Sequence, residues 1–505
     1  MSTVKSISIV TSSYLIQTLT GLLFYIIIAR NLPITEVGAI TLFLSFGAIF
    51  STAFSLNLDI GFAHFISYIH GKTGKYGFPR AFMILSFTMV IVALLFITLL
   101  SSDISRIFFH SPQYRDVVLL MGVYVSETIG LGYLVSILQG MQSFKNAALS
   151  NIVFSVLSMG IPIFLSFFQF PVYIVATGFT IGAGVSVIFA LFFVISSRLS
   201  KRELEDGLLG RFFAYVTPIF LGSLFTALMG TVDRIILPAL TNLSVSAVYS
   251  YSLTIATIVT AITSPFAFLL FPKVSQHFGI SNPSEVREYA QGSIELFYFI
   301  GLPASIGAAI LSRQLLSVLV GGIYAGHYII LQIMVFSYSF FSFRPILTSI
   351  ILGFRRTGVY LYSGAGALAA NLLISLIFIP SFGIYGAVAA SITAWGVSTI
   401  PRMVSLGSIL NHDFNFKPFL KMWINVTLMA LAVLYAVRFF PSGIISLFIP
   451  ALFGAILYFI LSIINKPFSS EVRSIVESIL TEDNHILTLF TRIILGKKNT
   501  SSQKV

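Results

Sequence analysis

The stretch that decides the fold runs from Val172 to Ile195 and reads VYIVATGFTIGAGVSVIFALFFVI. Its 24 residues include no charged side chain. A helix that crosses the hydrocarbon core of a bilayer needs about 20 consecutive apolar residues, whereas a transmembrane β-strand is roughly half as long. The pattern therefore predicts a membrane-spanning α-helix, and similar runs recur along the whole chain.

The composition agrees with a membrane protein. Of 505 residues, 57% are hydrophobic and 9% are charged, and the mean hydropathy is +0.97. Soluble globular proteins carry about 25% charged residues, so the composition excludes soluble enzymes, disordered proteins and nucleic-acid-binding modules. The chain has no cysteine, and its seven histidines form no close pair. We therefore expect no cofactor and no metal site.

Fourteen apolar runs are bounded by polar or charged residues, and each predicts a transmembrane helix. The runs cover residues 8–29, 37–57, 81–101, 117–139, 147–168, 172–195, 213–236, 245–271, 292–312, 327–352, 358–379, 384–407, 419–440 and 442–464. The longest segment between runs has about 23 residues and separates the second run from the third. The sequence thus predicts an all-α polytopic membrane protein without a large soluble domain.

The distribution of lysine and arginine predicts the orientation of these helices. With a cytoplasmic N-terminus and fourteen spans, 22 of the 29 basic residues fall on the cytoplasmic side, six fall outside, and Arg344 lies within a span. Cytoplasmic loops of membrane proteins carry such an excess of positive charge. We therefore expect both termini in the cytoplasm of a multi-pass protein of the plasma membrane. The net charge of +12 then indicates topology and not nucleic-acid binding.

Faint internal similarity predicts two parallel lobes. Segments recur at offsets of about 205 to 213 residues, which correspond to six helices and so preserve the membrane orientation. Such parallel repeats are common in secondary transporters, with the substrate site between the halves. The paired segments are 32–40 with 237–249, 136–140 with 349–353, and 172–176 with 384–388.

The repeat and the spans together predict the domain organisation. We expect an N-terminal lobe at 1–196, a C-terminal lobe at 212–408, two further helices at 417–465 and a tail at 466–505. The tail combines apolar residues at helical spacing with charges on other faces, which is typical of amphipathic helices on a cytoplasmic membrane surface. Truncation after Lys466 should therefore lower the protein level and leave transport substantially intact.

Four segments in the expected order resemble motifs of polysaccharide and lipid-linked-oligosaccharide flippases. These proteins belong to the multidrug/oligosaccharidyl-lipid/polysaccharide (MOP) exporter superfamily. Two positions depart from the usual pattern, because Ala247 and Pro33 stand where glycine is common. The segments are Ala29-Arg30-Asn31-Leu32-Pro33 with Gly38, Leu58-Asp59-Ile60-Gly61, Leu138-Gln139-Gly140 continuing to Lys145, and Asp233-Arg234-Ile235-Ile236-Leu237 with Ala247-Val248-Tyr249.

The resemblance implies two six-helix lobes around a central cavity that opens alternately to each side. It further implies a non-enzymatic transporter that moves a polyprenyl- or dolichyl-(pyro)phosphate-linked oligosaccharide from the cytoplasmic to the outer leaflet. Such transport serves the assembly of surface polysaccharide or glycoprotein. Expected partners are the lipid-linked glycan, membrane lipids and glycan-assembly enzymes, but no nucleic acid. We expect a monomer, and the coupling ion stays open between H⁺ and Na⁺.

Charged residues within or at the ends of spans are the candidate transport residues. A charge inside the membrane is costly and usually faces a partner or a wet cavity. Glu127 and Arg344 lie inside the fourth and tenth spans, and Arg344 aligns one helical turn from Glu127 in the repeat. Guanidinium groups bind phosphate bidentately and stay protonated. The predicted substrate-binding and transport residues are Arg30, Asp59, Glu127, Asp233, Arg234 and Arg344.

Several of these residues also have a structural interpretation, and the sequence also allows alternative functions. Arg30 and Arg234 sit at helix ends, where arginines commonly extend to lipid headgroups, and Glu127 could form a structural hydrogen bond between helices. Alternative functions are a cation-coupled multidrug exporter of the same superfamily or a membrane glycan polymerase or ligase. The first alternative predicts buried acids in the first helix, and residues 8–29 contain none.

Overall fold

The described part of the chain is almost entirely helical in the computed structural model. The structure describes residues 3–73, 77–197, 200–202, 207–257, 283–341, 343–354, 356–409, 415–440 and 443–469. Every one of the fourteen predicted spans overlaps a helix within these residues. The eighth predicted span is helical over residues 243–257, and its remainder lies outside the described residues. The predicted amphipathic tail lies outside them beyond Ser469.

The elements follow one another in a single long series. The first half contains α1 (Thr3–Asn31), α2 (Ile34–Ser55), α3 (Leu58–Thr73), β1 (Gly77–Pro79), α4 (Arg80–Leu99), α5 (Ser101–Phe108), α6 (Arg115–Gly140), α7 (Phe144–Ser166), α8 (Val172–Ser196), β2 (Ser200–Arg202), α9 (Leu208–Leu240) and α10 (243–257). The second half contains α11 (Pro283–Ile310), α12 (Ser312–Leu319), α13 (Gly322–Ala325), α14 (Tyr328–Phe341), α15 (Arg344–Gly353), α16 (Thr357–Phe382), α17 (Ile384–Ile409), α18 (Lys417–Ala436) and α19 (Ile445–Asn465). Short 3₁₀ turns precede α6 and follow α18.

Ten helical segments of the described chain are long and apolar enough to cross a membrane, and the bent pair α11 and α12 makes eleven. In lipid, every backbone polar group must be satisfied within the segment, which leaves the helix as the structure open to such runs. The all-α polytopic fold is therefore confirmed, and the count of fourteen spans is compatible with it.

The expectation of a 23-residue connection between the second and third spans was wrong. Most of that segment forms α3, which follows α2 after a break at Leu56 and Asn57. Both residues have left-handed backbone conformations, with φ of 48° and 50°. The polar residues of α3, such as Asp59 and His64, interrupt the apolar run in the sequence but do not prevent a helix.

By their contacts, the helices form two compact units. One comprises Met1–Ser250 with Asn371–Ala390, and the other comprises Tyr251–Ala370 with Ser391–Val505. In the first unit β1 pairs in parallel with β2, so that Gly77 faces Ser200 and Pro79 faces Arg202. The division into lobes at 1–196 and 212–408 stays a prediction.

Glycines of α8 allow close packing of α8 against α7 in the first unit. A Cβ on Gly182 would lie 2.5 Å from the backbone of Leu157 and Ser158 on α7, and a Cβ on Gly178 would lie 2.8 Å from the nitrogen of Pro162. Small residues let helix backbones approach where lipid supplies no hydrophobic drive for association.

This contact yields a prediction about stability. Gly182→Ala should force α7 and α8 apart and destabilise the protein by about 1–3 kcal/mol, as overpacking does in cores. Thermal unfolding in detergent would show a lower midpoint and a smaller folded yield. Gly160→Ala on α7 is the matched control, because nothing lies within 4 Å of a Cβ there. Equal midpoints for the two variants would contradict the prediction.

Candidate functional site

Arg344 is the first residue of α15 and lies within Tyr328–Thr348, a stretch that is long and apolar enough to cross a membrane. The Nη1 atom of Arg344 is buried and has no hydrogen-bond partner among the described residues. Arg344 therefore stands where the local structure favours a negative group.

Arg402 on α17 lies close to Arg344 and is almost fully buried, with 4% of its surface exposed. Its Nε donates to Ser363 Oγ at 2.9 Å, and its Nη1 donates to Thr348 Oγ1 at 2.9 Å. Its guanidinium carbon lies 5.1 Å from the ring centroid of Tyr360, a distance at which cation–π attraction operates. Side chains from α15 and α16 thus fix the guanidinium of α17 in one orientation.

The two arginines are neighbours of like charge in the second unit, with Arg402 buried and Arg344 half-buried. The Thr348 hydroxyl that accepts from Arg402 donates in turn to the backbone carbonyl oxygen of Arg344 at 3.0 Å. Neither arginine forms an ion pair with a carboxylate within the described part of the chain. Buried charges are normally paired, because an uncompensated one is expensive in a medium of low dielectric constant. The arrangement of Arg344 and Arg402 therefore creates a strong local demand for an anion.

Sequence reasoning missed Arg402. We counted it among the cytoplasmic charges that set topology, although it lies inside the predicted span at 384–407. A basic residue next to Pro401 and five residues inside an apolar run was the available signal. Arg356 has a different environment, since it is exposed and donates to Ser405 Oγ at 3.1 Å and Ser408 Oγ at 2.6 Å.

Glu127 lies near the middle of α6 in the first unit and is half-buried. Its Oε2 is buried and has no hydrogen-bond partner among the described residues. Its Oε1 lies 2.8 Å from the position that a Cβ on Gly184 of α8 would occupy. The missing side chain of Gly184 therefore provides the space that the carboxylate fills. The expected structural hydrogen bond between helices is not formed by Oε2 within these residues.

Asp59 stands at the start of α3, next to the break after α2. Its Oδ1 is buried without a hydrogen-bond partner in the described chain. The break frees backbone groups, and the hydroxyl of Tyr133 on α6 donates to the Ser55 carbonyl oxygen at 3.0 Å. Asn57 Nδ2 donates to Ser223 Oγ on α9 at 2.8 Å. The Leu-Asp-x-Gly segment thus lies at a packed junction of three helices.

Asp233 and Tyr249, two residues of the fourth motif, are joined by a hydrogen bond between their side chains. The Tyr249 hydroxyl donates to Asp233 Oδ2 at 2.6 Å, and Asp233 is 4% exposed. The motif therefore ties α9 to α10. Arg234 is half-buried, whereas Arg30 at the end of α1 is exposed. Of the six predicted residues, Arg344 belongs to the second unit and the other five belong to the first.

Arg30 and Arg234 yield a test that separates a transport role from headgroup contact. If both contact the phosphate of a substrate, the double alanine variant should lose far more transport than either single variant. If both extend to lipid headgroups, the effects should be small and additive. The measurement is surface glycan at matched protein level in the two single variants and the double variant.

The chain is similar to proteins of glycan biosynthesis. Residues 3–278 match the model of a family described as polysaccharide biosynthesis protein. The chain is 26% identical over 359 residues to the uncharacterized membrane protein MJ1068 of Methanocaldococcus jannaschii, with 68% of each chain covered. It is 24% identical over 216 residues to the probable low-salt glycan biosynthesis flippase Agl15 of Haloferax volcanii, covering 41% of this chain and 45% of that relative.

Solved structures share the fold at low sequence identity. The lipid II flippase MurJ in an inward closed conformation superposes with a TM-score of 0.67 at 14% identity, covering 94% of this chain and 99% of that chain. An inward-facing multidrug resistance MATE family transporter of the MOP superfamily superposes with a TM-score of 0.64 at 15% identity, covering 79% and 96%. The fold and the resemblance inferred from the motifs are confirmed.

Proposed function

Because the chain belongs to the polysaccharide biosynthesis protein family, we propose that it is a flippase for a lipid-linked oligosaccharide. The substrate is a polyprenyl- or dolichyl-(pyro)phosphate glycan, and it moves from the cytoplasmic to the outer leaflet of the plasma membrane by alternating access. The flippase named among the relatives and the lipid II flippase among the solved structures support this proposal.

The observation that carries the proposal is the neighbouring pair Arg344 and Arg402. A lipid-linked glycan places a phosphate or pyrophosphate between polar sugars and a long apolar tail. Moving that head through hydrocarbon unaided is costly, since each unsatisfied polar group there costs several kcal/mol. Two guanidiniums that form no ion pair with a carboxylate in the described residues match such an anion. A carboxylate already paired with them would compete with the phosphate.

The chain's own groups divide the work in this proposal. Arg402 is held by Ser363, Thr348 and Tyr360, so it supplies a fixed positive charge. The Nη1 atom of Arg344 has no hydrogen-bond partner among the described residues, and in this proposal it donates hydrogen bonds to the phosphate. No covalent bond is made or broken, which agrees with a transporter and not an enzyme.

The test uses purified protein in liposomes with a lipid-linked oligosaccharide of defined structure. An endoglycosidase added outside cleaves only glycans in the outer leaflet, so about half of the substrate is accessible in protein-free vesicles. With the protein present, we expect nearly all of it to become accessible. A neutral glycolipid with the same sugars but no phosphate should stay protected. Equal transport of both lipids would contradict phosphate recognition, and transport of neither would contradict the flippase function.

The same vesicles address the alternative of a cation-coupled multidrug exporter. Uptake of a cationic dye driven by an H⁺ or Na⁺ gradient, without any movement of the lipid-linked glycan, would favour that alternative. Two neighbouring arginines that lack a carboxylate partner in the part of the chain that the structure describes would repel a cationic dye, so we expect no dye uptake.

A further inference from the structure

Two buried polar residues on α11 form a pair that the transport site does not use. Gln291 and Glu295 lie one helical turn apart, with exposed fractions of 2% and 0%. Gln291 Nε2 donates to Glu295 Oε1 at 2.9 Å. A buried carboxylate is tolerated only where hydrogen bonds or charges compensate its lost hydration. We call Gln291 and Glu295 the clip.

The second oxygen of Glu295 binds the segment that follows α19. Glu295 Oε2 accepts two hydrogen bonds from Ser469, one from the backbone N–H at 3.0 Å and one from the hydroxyl at 2.9 Å. The neighbouring Phe468 packs on Phe299 of α11, with ring centroids 4.7 Å apart. The chain after the last helix is therefore seated on α11 by polar and apolar contacts together.

The clip also holds the segment that precedes α18. Gln291 Oε1 accepts a hydrogen bond from the backbone N–H of Asn415 at 3.4 Å. Asn415 lies two residues before the start of α18 at Lys417, and Ser469 lies four residues after the end of α19 at Asn465. One turn of α11 thus binds the chain on both flanks of the hairpin formed by α18 and α19.

Within the hairpin, the two flanks are joined by a separate set of bonds. Lys421 Nζ donates to the carbonyl oxygens of Asn465 at 3.0 Å and Lys466 at 3.3 Å. Asn465 Nδ2 donates to Asn425 Oδ1 at 3.1 Å. Lys466 has a left-handed backbone with φ of 43°, which turns the chain out of α19 toward α11. Hydrogen bonds to Asn465 and Lys466 therefore set the direction in which the chain leaves α19.

We propose that the clip anchors the carboxy-terminal segment of this protein. Glu295 seats Ser469, so the chain beyond residue 469 starts from a fixed point on α11. The hairpin and the start of the tail then move with α11 as one body. The occupant of the clip is this chain's own Ser469, and Phe468 packs beside it on Phe299.

The test is a double-mutant cycle on the complete chain. Four proteins are compared: the native chain, Glu295→Met, the chain truncated after Lys466, and the truncated chain with Glu295→Met. Truncation removes both Ser469 donors and leaves the carboxylate buried without them, which should cut the folded yield about fivefold. In the truncated chain Glu295→Met should restore most of the yield, whereas in the full chain it should reduce it.

Two controls locate the effect at the seat of Ser469. A chain truncated after Ser470 keeps the seat and should retain the native yield. Phe468→Ala removes only the apolar contact, so its effect should be the same with glutamate or methionine at position 295. Glu295→Gln provides a second cycle should the methionine variant fail to fold. Equal losses on truncation with and without Glu295 in both cycles would overturn the proposal.

The cycle also bears on the expectation that the tail is accessory to transport. Molecules of the truncated Glu295→Met chain that fold should keep the transport activity per molecule of the native chain, because the clip lies outside the arginine pair. An inactive but well-folded truncated chain would overturn the anchoring role and assign the tail to the transport cycle.

Discussion

Replacing Arg344 by methionine is expected to abolish glycan export while the protein folds as well as the native chain. The loss should exceed tenfold, because charge-assisted hydrogen bonds to a phosphate contribute about 1.5–3 kcal/mol each. Methionine keeps an unbranched apolar side chain in place of the arginine stem and removes one of two neighbouring positive charges. The midpoint of thermal unfolding should therefore stay unchanged or rise. Surface glycan and thermal unfolding are measured on the same variant.

Three further variants define what the Arg344 result means. Arg344→Lys should keep part of the activity, since lysine keeps the charge but loses the bidentate geometry. Arg402→Met should also lose export, because it removes the second charge of the pair. Arg438→Ala is the matched control, as Arg438 is an exposed arginine beyond α18. Normal surface glycan in Arg344→Met at matched protein level would remove the pair from the transport mechanism.

The second large effect is expected for Glu127→Gln, which should abolish export and leave membrane insertion intact. Its carboxylate oxygen is buried without a hydrogen-bond partner in the described chain, so the position requires either a proton or a charged group that arrives during transport. Glutamine keeps the shape but can neither take up a proton nor carry the charge. The loss should exceed tenfold in the export assay, with protein level changed by less than about twofold.

Gly184 supplies the companion variant for Glu127. A Cβ at Gly184 would displace the carboxylate, which lies 2.8 Å away. Gly184→Ala should therefore lower export, and combining it with Glu127→Gln should cause no further loss, because both act on one group. Gly130→Ala, on the same helix as Glu127 and with open space at its Cβ, should export normally. Full activity of Glu127→Gln would show that the carboxylate is a spectator.

The helices were predictable from the sequence because lipid leaves the backbone few choices. An uncharged apolar run such as 172–195 is sufficient by itself to predict a helix, and this run forms α8. The helix at 58–73 was missed because the prediction relied on uninterrupted apolar runs. Its polar residues hide a helix from a test based on hydropathy, and the two left-handed residues before it carry no clear signal in the sequence.

The candidate site was less predictable, because its key contacts join distant parts of the chain. Arg344 was found from its depth in an apolar run. Arg402 was read as a topological charge, since only the fold brings it to Ser363 and Thr348, which lie 39 and 54 residues away. Glu295 and Ser469 are 174 residues apart. Local sequence patterns do not predict a hydrogen bond between residues so far apart in the chain.

The break between α2 and α3 has a mechanical consequence. Before the break, a Cβ on Gly38 of α2 would collide with the backbone of Leu243 at the start of α10, and after it a Cβ on Gly61 of α3 would lie 2.5 Å from the ring of Phe212 on α9. The helices α2 and α3 are therefore each packed against a neighbouring helix, and the left-handed residues Leu56 and Asn57 lie between the two contacts. A single straight helix would have to lose both contacts together, whereas the break allows either α2 or α3 to move while the other stays packed.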